Sequence, residues 1–126
     1  MSNIKSMSND KNQKYDLAER TARFSENIIE FIKELSPAQI NQPLINQIIR
    51  SATSIGANYM EADGAESKKD FKHKIGICKK EAKETMYWLR ILAKANPANI
   101  DKCRKLWQEA HELTLIFSAI INSSKS

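Results

Sequence analysis

Four separate stretches of this chain carry side chains of one character at alternating three- and four-residue steps. Leu17, Thr21, Phe24, Ile28, Phe31 and Leu35 make the first series, with a threonine filling one place. Ile45, Ile48, Ala52, Ile55, Tyr59 and Ala62 make the second, and Phe71, Ile75, Cys78, Ala82, Thr85, Leu89 and Leu92 the third. Cys103, Leu106, Ala110, Leu113, Phe117 and Ile120 make the fourth. A half-buried strand would alternate every second residue, whereas this spacing returns to one side of a helix. Each series keeps its rhythm for about three heptads, the pattern of helices packed side by side at shallow angles. With 126 residues and only three glycines and three prolines, the expected fold is all-α, a single four-helix bundle domain large enough to bury a core.

The breaks between the series carry helix punctuation. Ser36-Pro37 ends the first helix, because proline lacks the backbone donor and clashes with the preceding turn. Pro43 can start the second helix, with Asn41 or Gln42 near its cap. Asp63-Gly64-Ala65 interrupts the chain, and Ser67 caps the third helix with Asp70 three residues on. Asn96-Pro97 stops that helix, and Asp101 lies in the first turn of the fourth. The expected helices are 16–35, 42–64, 67–95 and 100–122, inside a domain of 15–122. The tails 1–14 and 123–126 are polar, and the first is expected to be disordered. Connections this short make successive helices antiparallel neighbours, so the expected topology is up-down-up-down. No apolar leader opens the chain, and no run reaches the roughly 18 apolar residues a membrane span needs. The expected compartment is the cytoplasm, with no membrane partner.

Charge is distributed unevenly. Ser67–Lys105 holds 12 Lys and Arg against 4 Asp and Glu, while the remaining residues hold 8 against 11. Within the third helix Lys68, Lys72, Lys79, Lys83 and Arg90 fall within about 60° of one another at 100° per residue. Lys69, Lys80 and Lys94 flank that row. A local excess of this size favours polyanions such as RNA or DNA, or an acidic protein surface; a merely solvated face is the bland alternative. Tyr87 lies at the edge of the row, placed either to stack on a base or to cover lysine stems. Ile77, Trp88 and Ile91, with Glu81 and Glu84, occupy a further face roughly 100° from the apolar seam. One seam is all that a lone amphipathic helix needs, so these residues are candidates for an interface between subunits, where Trp is enriched. Arg50 and Glu61 of the second helix share a face away from its isoleucine seam and join that candidate set.

Gly56 costs the second helix roughly 1 kcal/mol relative to alanine; close approach of another backbone is the expected compensation. Around it runs Ser54-Ile55-Gly56-Ala57-Asn58-Tyr59-Met60-Glu61-Ala62. This block, then S-K-K-D-F-K-H-K-I from Ser67, then E-A-K-E-T-M-Y-W-L-R-I-L from Glu81, resembles the small four helix bundle protein family. Its founding members are encoded in intervening sequences within bacterial large-subunit ribosomal RNA genes. The resemblance spans roughly Tyr15 to Ile121. It implies an antiparallel bundle assembled as a homopentamer, with no established enzymatic activity. The family is also similar to accessory proteins of diversity-generating retroelements, basic pentameric barrels that bind a reverse transcriptase and nucleic acid. Ser54, Asn58 and Glu61 match the first block, and Glu81, Glu84 and Trp88 the last, with no catalytic role attached to any of them.

The residues themselves offer little catalytic chemistry. His73 and His111 are isolated, and the Glu-x-x-His pairs of di-iron bundles are absent. The two cysteines and two histidines lack zinc-ligand spacing. Cys78 and Cys103 sit on apolar seams, where cysteine behaves as a small buried hydrophobe. There is no glycine-rich phosphate loop and no nucleophile motif. Glu81 and Glu84 share a face and invite paired-carboxylate chemistry, but salt bridges to nearby cations are the commoner use. The expectation is therefore a non-enzymatic oligomer without cofactor or metal. It binds RNA or DNA backbone through Lys68, Lys69, Lys72, Lys79, Lys80, Lys83, Arg90 and Lys94, beside a nucleic-acid enzyme in one version. The rival is a structural adaptor that holds another protein and has no nucleic-acid role.

Overall fold

A computed structural model describes residues 16–123. The expected tail 1–14 lies outside them, as do residues 124–126. The order is α1 (Leu17–Lys33), α2 (Asn41–Asp63), α3 (Lys68–Ala95), a short 3-10 turn (Pro97–Asn99) and α4 (Ile100–Ser123). The described residues are thus all-α, with four helices and no strand. The 28 residues of α3 make it the longest, about 42 Å at 1.5 Å per residue.

Local chemistry accounts for the ends. Asp16 caps α1 by accepting from the Glu19 amide at 3.4 Å, and Ser67 caps α3 by accepting from the Asp70 amide at 3.0 Å. These side chains satisfy donors that have no partner within the first helical turn. At its other end α1 stops at Lys33, short of the expected Leu35. The amides of Glu34 and Leu35 reach back only three residues, to Phe31 and Ile32, and Pro37 disfavours helical backbone at Ser36. Pro43 falls third in α2 rather than first. It is tolerated there because first-turn amides lack helical partners in any case. Pro97 likewise turns Asn96 out of the helix, to φ −133° and ψ 68°.

All four seams face inward. Phe24, Ile28, Ile48, Ile55, Ile75, Cys78, Leu89, Leu92, Leu113 and Phe117 are almost wholly buried, and such burial is the main favourable term in folding. Helix α3 packs most extensively, against α2 on one side and α4 on the other, while α1 lies on α2 and touches α4. At Gly56 α2 lies close against α1. A Cβ added there would sit 3.2 Å from the Thr21 hydroxyl and 3.7 Å from the Thr21 backbone carbonyl carbon. The close approach expected for this glycine is therefore provided by Thr21 of α1.

Cross-helix pairs fix relative direction. Between α2 and α3 they join Asn41 to Asn96, Ser51 to Thr85, Ile55 to Cys78 and Glu61 to Lys74. As one number rises the other falls, so the two helices run in opposite directions. Arg20 with Glu109 and Glu112, and Glu34 with Lys102, give the same result for α1 and α4. The buried polar residues within this framework are satisfied. Asn41 and Asn96 exchange amide hydrogen bonds of 2.9 and 2.8 Å, and each also donates to a carbonyl, of Ser36 and Leu92 respectively. The Thr85 hydroxyl donates to the Glu81 carbonyl at 2.8 Å and lies 2.9 Å from that of Ser51. Among the described residues no buried side-chain nitrogen or oxygen lacks a partner.

Candidate nucleic-acid interface

Helix α3 carries the candidate site on its outside. At 100° per residue the row from Lys68 to Arg90 lies about 160° from Lys74 and Glu81, which bond to α2. The basic row therefore points away from α2. Lys68, Lys69, Lys80, Lys83, Arg90 and Lys94 are exposed, and Lys72 and Lys79 are half-buried. Among the described residues, none of these eight cations makes an ion pair within 4.0 Å. Lys68, Lys69, Lys72 and His73 line an open depression near the start of α3. Gly76 lies midway along the row, and a Cβ added to it would meet nothing within 4 Å.

On the opposite flank of α3 charged groups are paired with α2. The Arg50 guanidinium of α2 donates to Glu81 at 3.2 Å and pairs with Glu84. The Trp88 indole N–H donates to the same Glu84 carboxylate at 3.0 Å. These two hydrogen bonds, with the nearby charges of Arg50 and Lys80, hold the Glu84 carboxyl below its ordinary value. Glu84 in turn raises the Arg50 guanidinium. About two turns nearer the start of α3 than Glu81, Lys74 bonds Glu61 at 2.6 Å, and that carboxylate raises its pKa. Of the residues read as a subunit interface, Arg50, Glu61, Glu81, Glu84 and Trp88 thus find partners within one chain. Trp88 also packs on the core, and the Tyr87 ring meets it edge-on with centroids 5.0 Å apart. Ile77 and Ile91 are half-buried but are not packed against the core.

The remaining reactive groups are quiet. Both thiols are free and buried. Burial pushes Cys78 up to about 12 and Cys103 up to about 11, and the Cys78 thiol donates to the Ile55 carbonyl at 3.4 Å. His111 stacks on Trp107 with centroids 5.2 Å apart. Among the described residues no group of three or more His, Cys, Asp or Glu is placed to hold a metal. No described helix is long and apolar enough to cross a membrane.

Sequence spacing located the cations. It did not locate the Arg50–Glu81–Glu84 connection, which depends on how α2 and α3 are aligned. Gly76 was readable in principle, since it stands seven residues from both Lys69 and Lys83.

These features define a class, the small all-α four-helix proteins with one basic outer helix face. Residues 13–119 match the 23S rRNA-intervening sequence protein family, and the chain belongs to that family. Among solved structures it is similar to a protein of unknown function from the S23 ribosomal protein family of Bacteroides thetaiotaomicron. The TM-score is 0.76 at 34% identity, covering 82% of this chain and 96% of that one. No curated protein matches it.

Proposed function

We propose that the protein is a non-enzymatic, self-associating antiparallel four-helix bundle of the cytoplasm that grips the phosphate backbone of RNA or DNA. The outer face of α3 makes the contact. One observation carries this reading: eight cations on the outer side of α3 make no ion pair within 4.0 Å among the described residues, while the acids of α3 nearest α2 are paired. Unpaired lysines in a row give up little of their own pairing to meet phosphates, and they release condensed counterions from the polyanion. Contacts of this kind set position rather than sequence. A ring of five such helices, the assembly implied by the family resemblance, multiplies the positive field. The family is named for 23S rRNA intervening sequences, so a structured RNA is the natural first probe.

The test is binding of RNA and DNA by nuclease-treated protein across a salt series, alongside its mass in solution. The expected result is affinity falling steeply as salt rises, for a species heavier than a monomer. No binding at low salt would overturn the reading. A second reading, an adaptor for another protein such as a nucleic-acid enzyme, is favoured by Ile77 and Ile91, which lie off the core. It predicts a protein partner retained after nuclease and high-salt washing.

A further inference from the structure

Gly76 has no role inside the chain. A glycine in the middle of a helix is a destabilising choice unless something needs the space or the backbone needs an unusual conformation. Gly56 meets the first condition, pressed against Thr21. Gly76 meets neither: no glycine among the described residues has positive φ, and apart from its chain neighbours and the backbone of its own helical turns no atom lies within 4 Å of the missing Cβ. It sits well inside α3, far from either end.

Its surroundings on the helix are one-sided in charge. The residues three and four positions away, which are the surface neighbours of any helical position, are Lys72, His73, Lys79 and Lys80. Three are cations and none is an acid. Along the axis, steps of seven give Lys69, Gly76, Lys83 and Arg90, so glycine occupies the one place in that row without a cation. Lys72 and His73 also border the depression shared with Lys68 and Lys69. Gly76 is thus a half-buried gap in the side-chain surface, flanked along the helix by Lys72, Lys79 and Lys80, and Lys72 is shared with the depression.

We infer that Gly76 is the point of closest approach of a polynucleotide, where a backbone phosphate seats against the bare α3 surface between Lys72, Lys79 and Lys80. A phosphate seated there is met from both sides by lysine arms. With a side chain at 76, the strand stands off and the arms meet it from one side only. The inference rests on the nucleic-acid reading above and adds a shape requirement to its charge requirement. Phosphodiester is the chemistry recognised, and RNA and DNA both supply it.

Two variants of the full chain separate shape from charge. Gly76→Ala adds one methyl group in open space, and Gly76→Lys adds a cation to the row as well. Binding is read by fluorescence anisotropy with a labelled single-stranded RNA, the matching DNA strand and both duplexes. The expected result for G76A is a melting temperature raised by about 3–5 °C, since alanine restricts the unfolded chain and favours helix, together with a loss of affinity on the order of 5-fold or more. G76K is expected to bind no tighter than the wild type despite its extra charge. A loss confined to RNA or to DNA assigns the gap to that polymer. If G76A binds like the wild type and G76K binds tighter, the contact is a matter of charge alone; the inference is then wrong and the nucleic-acid reading stands. If the wild type binds no polynucleotide at low salt, both fail. If G76A changes the mass in solution and leaves monomer-normalised binding intact, the space belongs to a second copy of the chain, and the inference is overturned.

Discussion

Helix α3 has two polar flanks of opposite character. On the flank facing α2, Lys74 is answered by Glu61, and Glu81 and Glu84 by Arg50, with Trp88 supplying a further donor. On the outer flank no ion pair forms among the described residues, although that side holds more charge. The difference separates two uses of ionic groups. Groups paired within the chain specify how helices align, and partly exposed pairs add little stability. Groups left unpaired raise the local potential and keep their interactions for something outside the fold. Charge count alone does not distinguish the two, whereas the partner list does.

The contrast can be broken most directly from the outer side. Changing Lys72, Lys79 and Lys83 together to glutamate should cost binding on the order of 100-fold, about 1 kcal/mol per reversed charge. Helicity and subunit mass should stay unchanged. Binding that survives this triple change would show that the outer flank is only solvated. On the structural side, Asn96→Leu should destabilise by about 2 kcal/mol in chemical denaturation, because it strands the buried Asn41 amide. Arg50→Met removes the counter-ion of Glu81, whose residue exposure is only 8%. That variant should lose about 1–2 kcal/mol yet bind polynucleotide as the wild type does. A large binding defect in R50M would blur the division between flanks.

The smallest effect expected is one of pH. The Glu84 carboxyl titrates below its ordinary value near 4.5 in the folded protein. Its stabilisation is present above that value and is lost as pH falls through the lower folded one. Thermal melts between pH 6 and 3 should show Glu84→Gln with a shallower acid limb, by only a few tenths of a kcal/mol for so exposed a pair. An unchanged limb would mean that Trp88 and Arg50 do not hold the carboxylate in solution.

Much of the fold was legible because periodicity is a local signal. The seam from Phe71 to Leu92 could be read without knowing what it packs against, and Ser67 announces a cap through its own side chain. Alignment between helices is not local. Nothing near Asn96 says that its amide meets Asn41, 55 positions away. Nor does the face shared by Arg50 and Glu61 say that each pairs across to α3. For the candidate site, the lysines were visible because charge survives in a one-dimensional reading. Spacing places Gly76 in the same row, but its contribution is an absence of atoms, and whether that space is filled depends on three-dimensional neighbours.

The reciprocal amides of Asn41 and Asn96 have a consequence far from where they sit. Sliding α3 by one turn, about 5.4 Å, would break both bonds between the two carboxamides. The two helices consequently share a zero mark where α3 ends. Every position on α3 is then graduated from that mark, including Lys72 about 36 Å farther along the axis. Two neutral side chains therefore calibrate the height at which the cations stand.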